Sequence, residues 1–197
     1  MKILIVCILF LSLLVAYALW SGLFIKVHVE RMVRGPFNLV YENQDGSYSG
    51  LRARSRELAA RLEKDYGIRP IARVIAYHVD PRKTPKQELR AFFGCVVSPD
   101  DSEALIRKNA PFNVKLWPKH MFKRVTFPLS AALSVWIGEI KAYPAIDDYN
   151  KMRDAYCGTV MEIYDENNRI IEYLQLVESN GEFSKMVNGV VRKQAGR

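Results

Sequence analysis

The sequence predicts an α+β domain of two β-α-β-β modules sharing one antiparallel sheet, preceded by a single transmembrane helix. Three observations lead there. The stretch from Ile3 to Ile25 carries no charge and is unlike the rest of the chain. Past it, hydrophobic patterning gives the order strand, helix, strand, strand twice, about 75 residues apart. The composition of the 197 residues, 49% hydrophobic and 25% charged, suits one globular core that needs no disulfide or metal staple.

The anchor comes first. At about 1.5 Å per residue, Ile3 to Ile25 crosses the roughly 30 Å hydrocarbon core of a bilayer. Tyr17 and Trp20 stand near one end, where amphipathic rings settle. Ala16-Tyr17-Ala18 offers the alternative of a cleaved signal peptide, against which the apolar run continues past Ala18. Lys26, Arg31 and Arg34 outweigh Lys2 across the segment, which places the domain on the cytoplasmic side by the positive-inside rule. The expected membrane is the endoplasmic reticulum in a eukaryote or the inner membrane in a bacterium. The expected division is an anchor over 1–26, a domain over 27–178 and a short basic tail over 179–197.

The net charge is +8, and almost all of the excess lies in the domain. It suits an anionic membrane face, with plain solubility as the alternative. The basic residues are scattered, no nucleic-acid motif accompanies them, and no nucleic-acid partner is expected. Cys7, Cys95 and Cys157 have no zinc or redox spacing, and no N-x-[ST] acceptor occurs, which fits a reducing compartment. No cofactor and no metal are expected.

Within the domain, Val27 to Tyr41 reads as a strand interrupted at Gly35-Pro36. Leu51, Leu58, Ala59 and Leu62 recur at helical spacing up to Asp65, with Glu57 and Arg61 as an exposed i,i+4 pair and Gly67 as the stop. Ile71–Val79 and Arg90–Val97 read as strands around a loop with Asp80-Pro81 and Pro85. Ser102 to Asn109 connects the halves. Phe112–Leu116 and Met121–Phe127 are strands. Ser130 caps a helix through Lys141, with Leu133, Trp136, Ile137 and Ile140 on one stripe. Pro144 breaks that helix, and a second piece runs from Ile146 to Ala155. Thr159–Tyr164 and Ile170–Val177 close the domain as a hairpin.

Three strings stand out: Gly35-Pro36-Phe37, the segment VDPRKTPKQELRAFFGCVV from Val79 to Val97, and GTVMEIYDENN from Gly158 to Asn168. Together they resemble the GyrI-like (SOUL-like) family of small-molecule-binding domains. The likeness runs over residues 27 to 178. An N-terminal anchor joined directly to such a domain resembles the ER-phagy-receptor subgroup of that fold. Gly181-Glu182-Phe183 is a poor match to that subgroup's acidic-aromatic tail motif, so receptor activity in autophagy is not carried across. The resemblance implies a membrane-tethered, pocketed sensor or adaptor with an unassigned ligand or partner.

In that family a strand glutamate faces a central apolar cleft and receives cationic aromatic ligands; the matching residue is Glu162. It alternates with Val160 and Tyr164 on one strand face, opposite Met161 and Ile163. A carboxylate among aromatic rings favours a lipophilic cation, because the charge is costly to bury alone and ring faces attract cations. Tyr164, Tyr77, Trp117, Phe122, Trp136 and Tyr143 are the candidate walls. Some of these side chains have plainer readings: Glu162 on a solvent face, Trp136 in the core, Tyr164 and Tyr173 as sheet residues, and His28, His78 and His120 as structural. The resemblance also implies an alternative, a small hydrolase of electrophilic small molecules with Glu162 as general base and Tyr164 or Tyr143 orienting water.

Overall fold

The computed structural model of the chain describes residues 2–78, 84–153 and 159–177. The Asp80-Pro81 loop, Gly158, Cys157, the Gly181-Glu182-Phe183 triplet and the tail over 179–197 lie outside them.

Helix α1 (Lys2–Trp20) is long and apolar enough to span a membrane, and none of it is buried by the domain. It stops at Trp20, five residues short of the last apolar position. At 1.5 Å per residue it is about 28 Å long. Eight strands then form one antiparallel sheet among the described residues, in the order β1-β6-β8-β7-β3-β4-β2-β5. The expected interrupted strand is β1 (Glu30–Arg34) and β2 (Phe37–Asp45), separated at Gly35-Pro36. Helix α2 (Leu51–Tyr66) ends on Gly67, whose φ of 70 lets the chain turn, so that the Gly67 N–H returns to the Glu63 carbonyl and the Ile68 N–H to that of Leu62. Strands β3 (Ala72–Tyr77) and β4 (Arg90–Val97) complete the first module.

Helix α3 (Pro99–Arg107) links the halves. Ser98 caps it by accepting the Asp101 N–H, so Pro99-Asp100-Asp101 opens a helix as well as ending a strand. The second module is β6 (His120–Pro128), α4 (Ala132–Arg153), β7 (Val160–Asp165) and β8 (Ile170–Leu176), preceded by β5 (Asn113–Trp117). Each element of module one has its counterpart in order, so the duplicated β-α-β-β architecture holds.

The edges are exchanged. Strand β1 leads into β2 but pairs with β6, with Glu30 opposite Arg124. Strand β5 leads into β6 but pairs with β2, with Trp117 opposite Phe37. The two connections touch where they cross: a side chain on Gly35 would start 3.0 Å from the Pro118 carbonyl oxygen. The modules meet along β3 and β7, with Ile75 opposite Glu162.

Helices α2, α3 and α4 pack on one face of the sheet. Leu51, Leu58 and Leu62 of α2, Leu105 of α3, and Ile137, Ala142 and Ile146 of α4 share a core with Val40, Ile75, Phe93, Val125, Tyr164 and Tyr173. The other face gathers Leu39, Val74, Phe92, Trp117, Phe122, Met161, Ile163 and Leu174 in a second core without any of these helices.

Three local expectations are corrected. Pro144 does not break α4. It is exposed, and on the inner side Ser134, Gly138, Ala142, Ile146 and Asn150 repeat every fourth residue and keep the helix packed across the missing N–H. The Ala131 N–H is taken by Ser134 Oγ, three residues on, a capping role expected of Ser130. Arg61 reaches back 2.9 Å to Glu42 on β2, not along its own helix to Glu57.

Candidate functional site

Glu162 lies in the middle of β7, at the seam between modules, on the face covered by helices. Strand alternation places Tyr164 beside it. Its neighbours in the ladders are Ile75 on β3 and Tyr173 on β8. Tyr77, two residues beyond Ile75, shares the face. Helix α4 brings Tyr143 down from above. Gly138, one turn earlier, permits that approach: a Cβ there would sit 2.5 Å from the Tyr173 hydroxyl.

The carboxylate is caged. Tyr143 donates to Oε1 at 2.5 Å, and Tyr164 donates to Oε2 at 2.5 Å. Tyr77 adds a longer bond to Oε2 at 3.4 Å. Tyr173 packs edge-on against Tyr143 with ring centroids 5.7 Å apart, and Tyr48 tilts on Tyr77 at 5.1 Å. Glu162 itself has 0% exposure.

Arg52, in the first turn of α2, closes the cage. Its Nε donates to the Tyr164 hydroxyl at 3.1 Å, and its guanidinium pairs with Glu139 of α4. This link ties the two covering helices together directly over the acid. Arg73 from β3 lies 5.0 Å over the Tyr164 ring, an added cation–π contact, and bonds Ser55 of α2.

Burial pushes the Glu162 carboxyl above its ordinary range, against the pull of the Tyr143 and Tyr164 hydroxyls and the Arg52 charge. Burial, and then the Glu162 charge, holds the Tyr77, Tyr143 and Tyr164 phenols well above theirs. Burial opposes the Arg52 charge, but Tyr164 and Glu162 outweigh it and keep the guanidinium more firmly protonated. The site is therefore one acid whose ionised form is costly, held by neutral donors and one partly exposed cation. Among the described residues no group of His, Cys, Asp and Glu could hold a metal.

Of the candidate walls, Tyr164, Tyr77 and Tyr143 converge on Glu162. Trp117 and Phe122 do not. Their side chains point to the opposite face, where with Met161 and Leu174 they line a cavity of about 10 Å³, close to the size of one water. Trp136 does not either. It stands 60% exposed on the outer side of α4, because the buried stripe runs through Ile137 and Gly138. Arg52 and Tyr48 were not singled out by sequence. Arg52 had one signal: with Ser55 and Leu58 it shares the inner side of α2 at helical spacing. The expected open cleft is, at Glu162, a sealed cage.

Comparison with known proteins adds the following. No family model matches. The chain is 28% identical to human testis-expressed protein 264 over 187 residues, which is 89% of this chain and 56% of that protein. It is 27% identical to the mouse homolog over 179 residues, 85% of this chain and 54% of that one. The chain thus spans about half the length of the curated relatives it matches. Among solved structures, SAV2435 bound to tetraphenylphosphonium superposes with a TM-score of 0.50 over 79% of this chain and 96% of that one, at 10% identity. A putative transcription regulation protein of Staphylococcus aureus MU50 gives 0.48 over 77% and 99%, also at 10%. The fold is that of the GyrI-like domains.

Proposed function

We propose that this chain is a membrane-tethered, non-catalytic binding module that takes a lipophilic cation at Glu162. The observation that carries the reading is the fully buried carboxylate, ringed by tyrosines at the seam of the two modules. Buried acids are retained where a partner charge offsets their desolvation. Here Arg52 is a resident partner on the solvent side, and an aromatic cation takes its place when the Arg52–Glu139 tie over the acid opens. The fold likeness to SAV2435 bound to tetraphenylphosphonium supports the ligand class. Helix α1 is read as the tether, holding the domain where membrane-partitioning molecules concentrate.

Hydrolysis with Glu162 as general base has less support. Both carboxylate oxygens accept from tyrosines, and none of the acid's surface meets solvent. A base needs a water within hydrogen-bond reach.

The test is calorimetric titration of tetraphenylphosphonium into the full chain in lipid nanodiscs. Saturable binding is expected, lost in Glu162→Gln and weakened as pH falls and the acid protonates. Equal binding by the wild type and Glu162→Gln refutes the reading.

A further inference from the structure

The outer side of α4 turns two large apolar side chains to solvent. Trp136 is 60% exposed and Ile140 52%, one turn apart on one side of the helix. The opposite side carries the whole packed stripe. Exposed large apolar side chains grouped in this way mark an interaction surface.

The end of α1 indicates what covers it. The Lys141 ammonium, next to Ile140, takes the carbonyls of Gly22, Leu23 and Ile25, the last at 2.7 Å. Ser21 is fully buried. Gly22, at φ +94, lies so close to Phe127 of β6 that a Cβ would come within 2.7 Å of the ring. The apolar helix is therefore fixed against the domain at the level of Ile140 and Lys141, with no slack linker between them. Leu23, Phe24 and Ile25 are exposed beside it, Phe24 by 74%. They continue the apolar surface of α1 toward α4.

We propose that the side of α4 carrying Trp136 and Ile140 rests in the headgroup layer of the bilayer that α1 crosses. This rests on the reading of α1 as a membrane span. An indole with its apolar body and N–H donor suits that layer. Lys26, exposed directly after Ile25, suits anionic headgroups. The same helix carries Tyr143 and Glu139, two walls of the cage. A lipophilic ligand then reaches the acid from the membrane side without crossing bulk water.

The test uses the full chain in phosphatidylcholine vesicles, with and without lipids brominated near the carbonyl end of the acyl chain. Trp20→Phe reports on Trp136, Trp136→Phe reports on Trp20, and the double variant gives the background of buried Trp117. Brominated lipid is expected to quench both Trp20 and Trp136 relative to that background. Quenching of Trp20 with Trp136 left at background overturns the docking while leaving the span; a soluble partner then becomes the occupant of the α4 face. Quenching of neither overturns the span, and the docking with it.

Discussion

Removing one hydroxyl from the cage tests its electrostatics directly. Tyr143→Phe deletes the donor 2.5 Å from Glu162 Oε1 and changes nothing else in the ring packing. A hydrogen bond to an ionised group is worth about 1.5–3 kcal/mol, and one between neutral groups about 0.5–1.5 kcal/mol. The variant should therefore lose more stability when Glu162 is charged than when it is protonated. Tyr77→Phe removes a bond of 3.4 Å and should lose less at either pH. The sign for the wild type follows from the raised carboxyl. The folded state holds this proton more tightly than the unfolded chain does, so the site's contribution falls as pH rises from the unfolded value through the folded one. Tyr143→Phe steepens that fall by raising the carboxyl further. Urea unfolding of the full chain in detergent micelles, at one pH below and one above the transition, gives the four numbers needed. A Tyr143→Phe cost that is equal at both pH values, or a Tyr77→Phe cost as large as that of Tyr143→Phe, refutes the caged-acid account.

Two further outcomes follow. Arg52→Gln removes the resident counter-charge and the tie to Glu139, so tetraphenylphosphonium should bind up to about tenfold more tightly, roughly 1.4 kcal/mol, in the same titration; weaker binding would show that Arg52 supports the site instead of competing for it. Cys95 is fully buried and its thiol is pushed up to about 12, chiefly by burial, so it should resist maleimide at neutral pH until urea unfolds the domain. Labelling of Cys95 in the native protein contradicts the packing of β4, and a thiol reagent at that position reports on folding, not on membrane sidedness.

The elements were legible where one face is buried and the period is clean. Arg90–Val97 matches β4 residue for residue, and Gly67 marks the end of α2 because only a left-handed residue fits there. Pro144 misled because a proline's cost depends on which side of the helix it occupies, and that side is set by the sheet beneath. Glu162 and Tyr164 were legible as an i,i+2 pair, since strand alternation fixes their shared face. Trp117 and Phe122 were misplaced because nothing local says which of two apolar faces a helix covers. Arg52 was not singled out; its role arises from Glu139 and Tyr164, which chain folding brings to it from far along the sequence. The exchange of β1 and β5 was illegible for the same reason, because edge pairing is decided between segments with no shared local signal.

That exchange constrains how the protein moves. Each half borrows its outermost ribbon from the other, so neither can be excised without exposing a raw margin on its neighbour. The point where Gly35 meets Pro118 acts as a rivet. On the reading proposed above, a guest enters through the helical roof, because parting β3 from β7 would pull on that crossing.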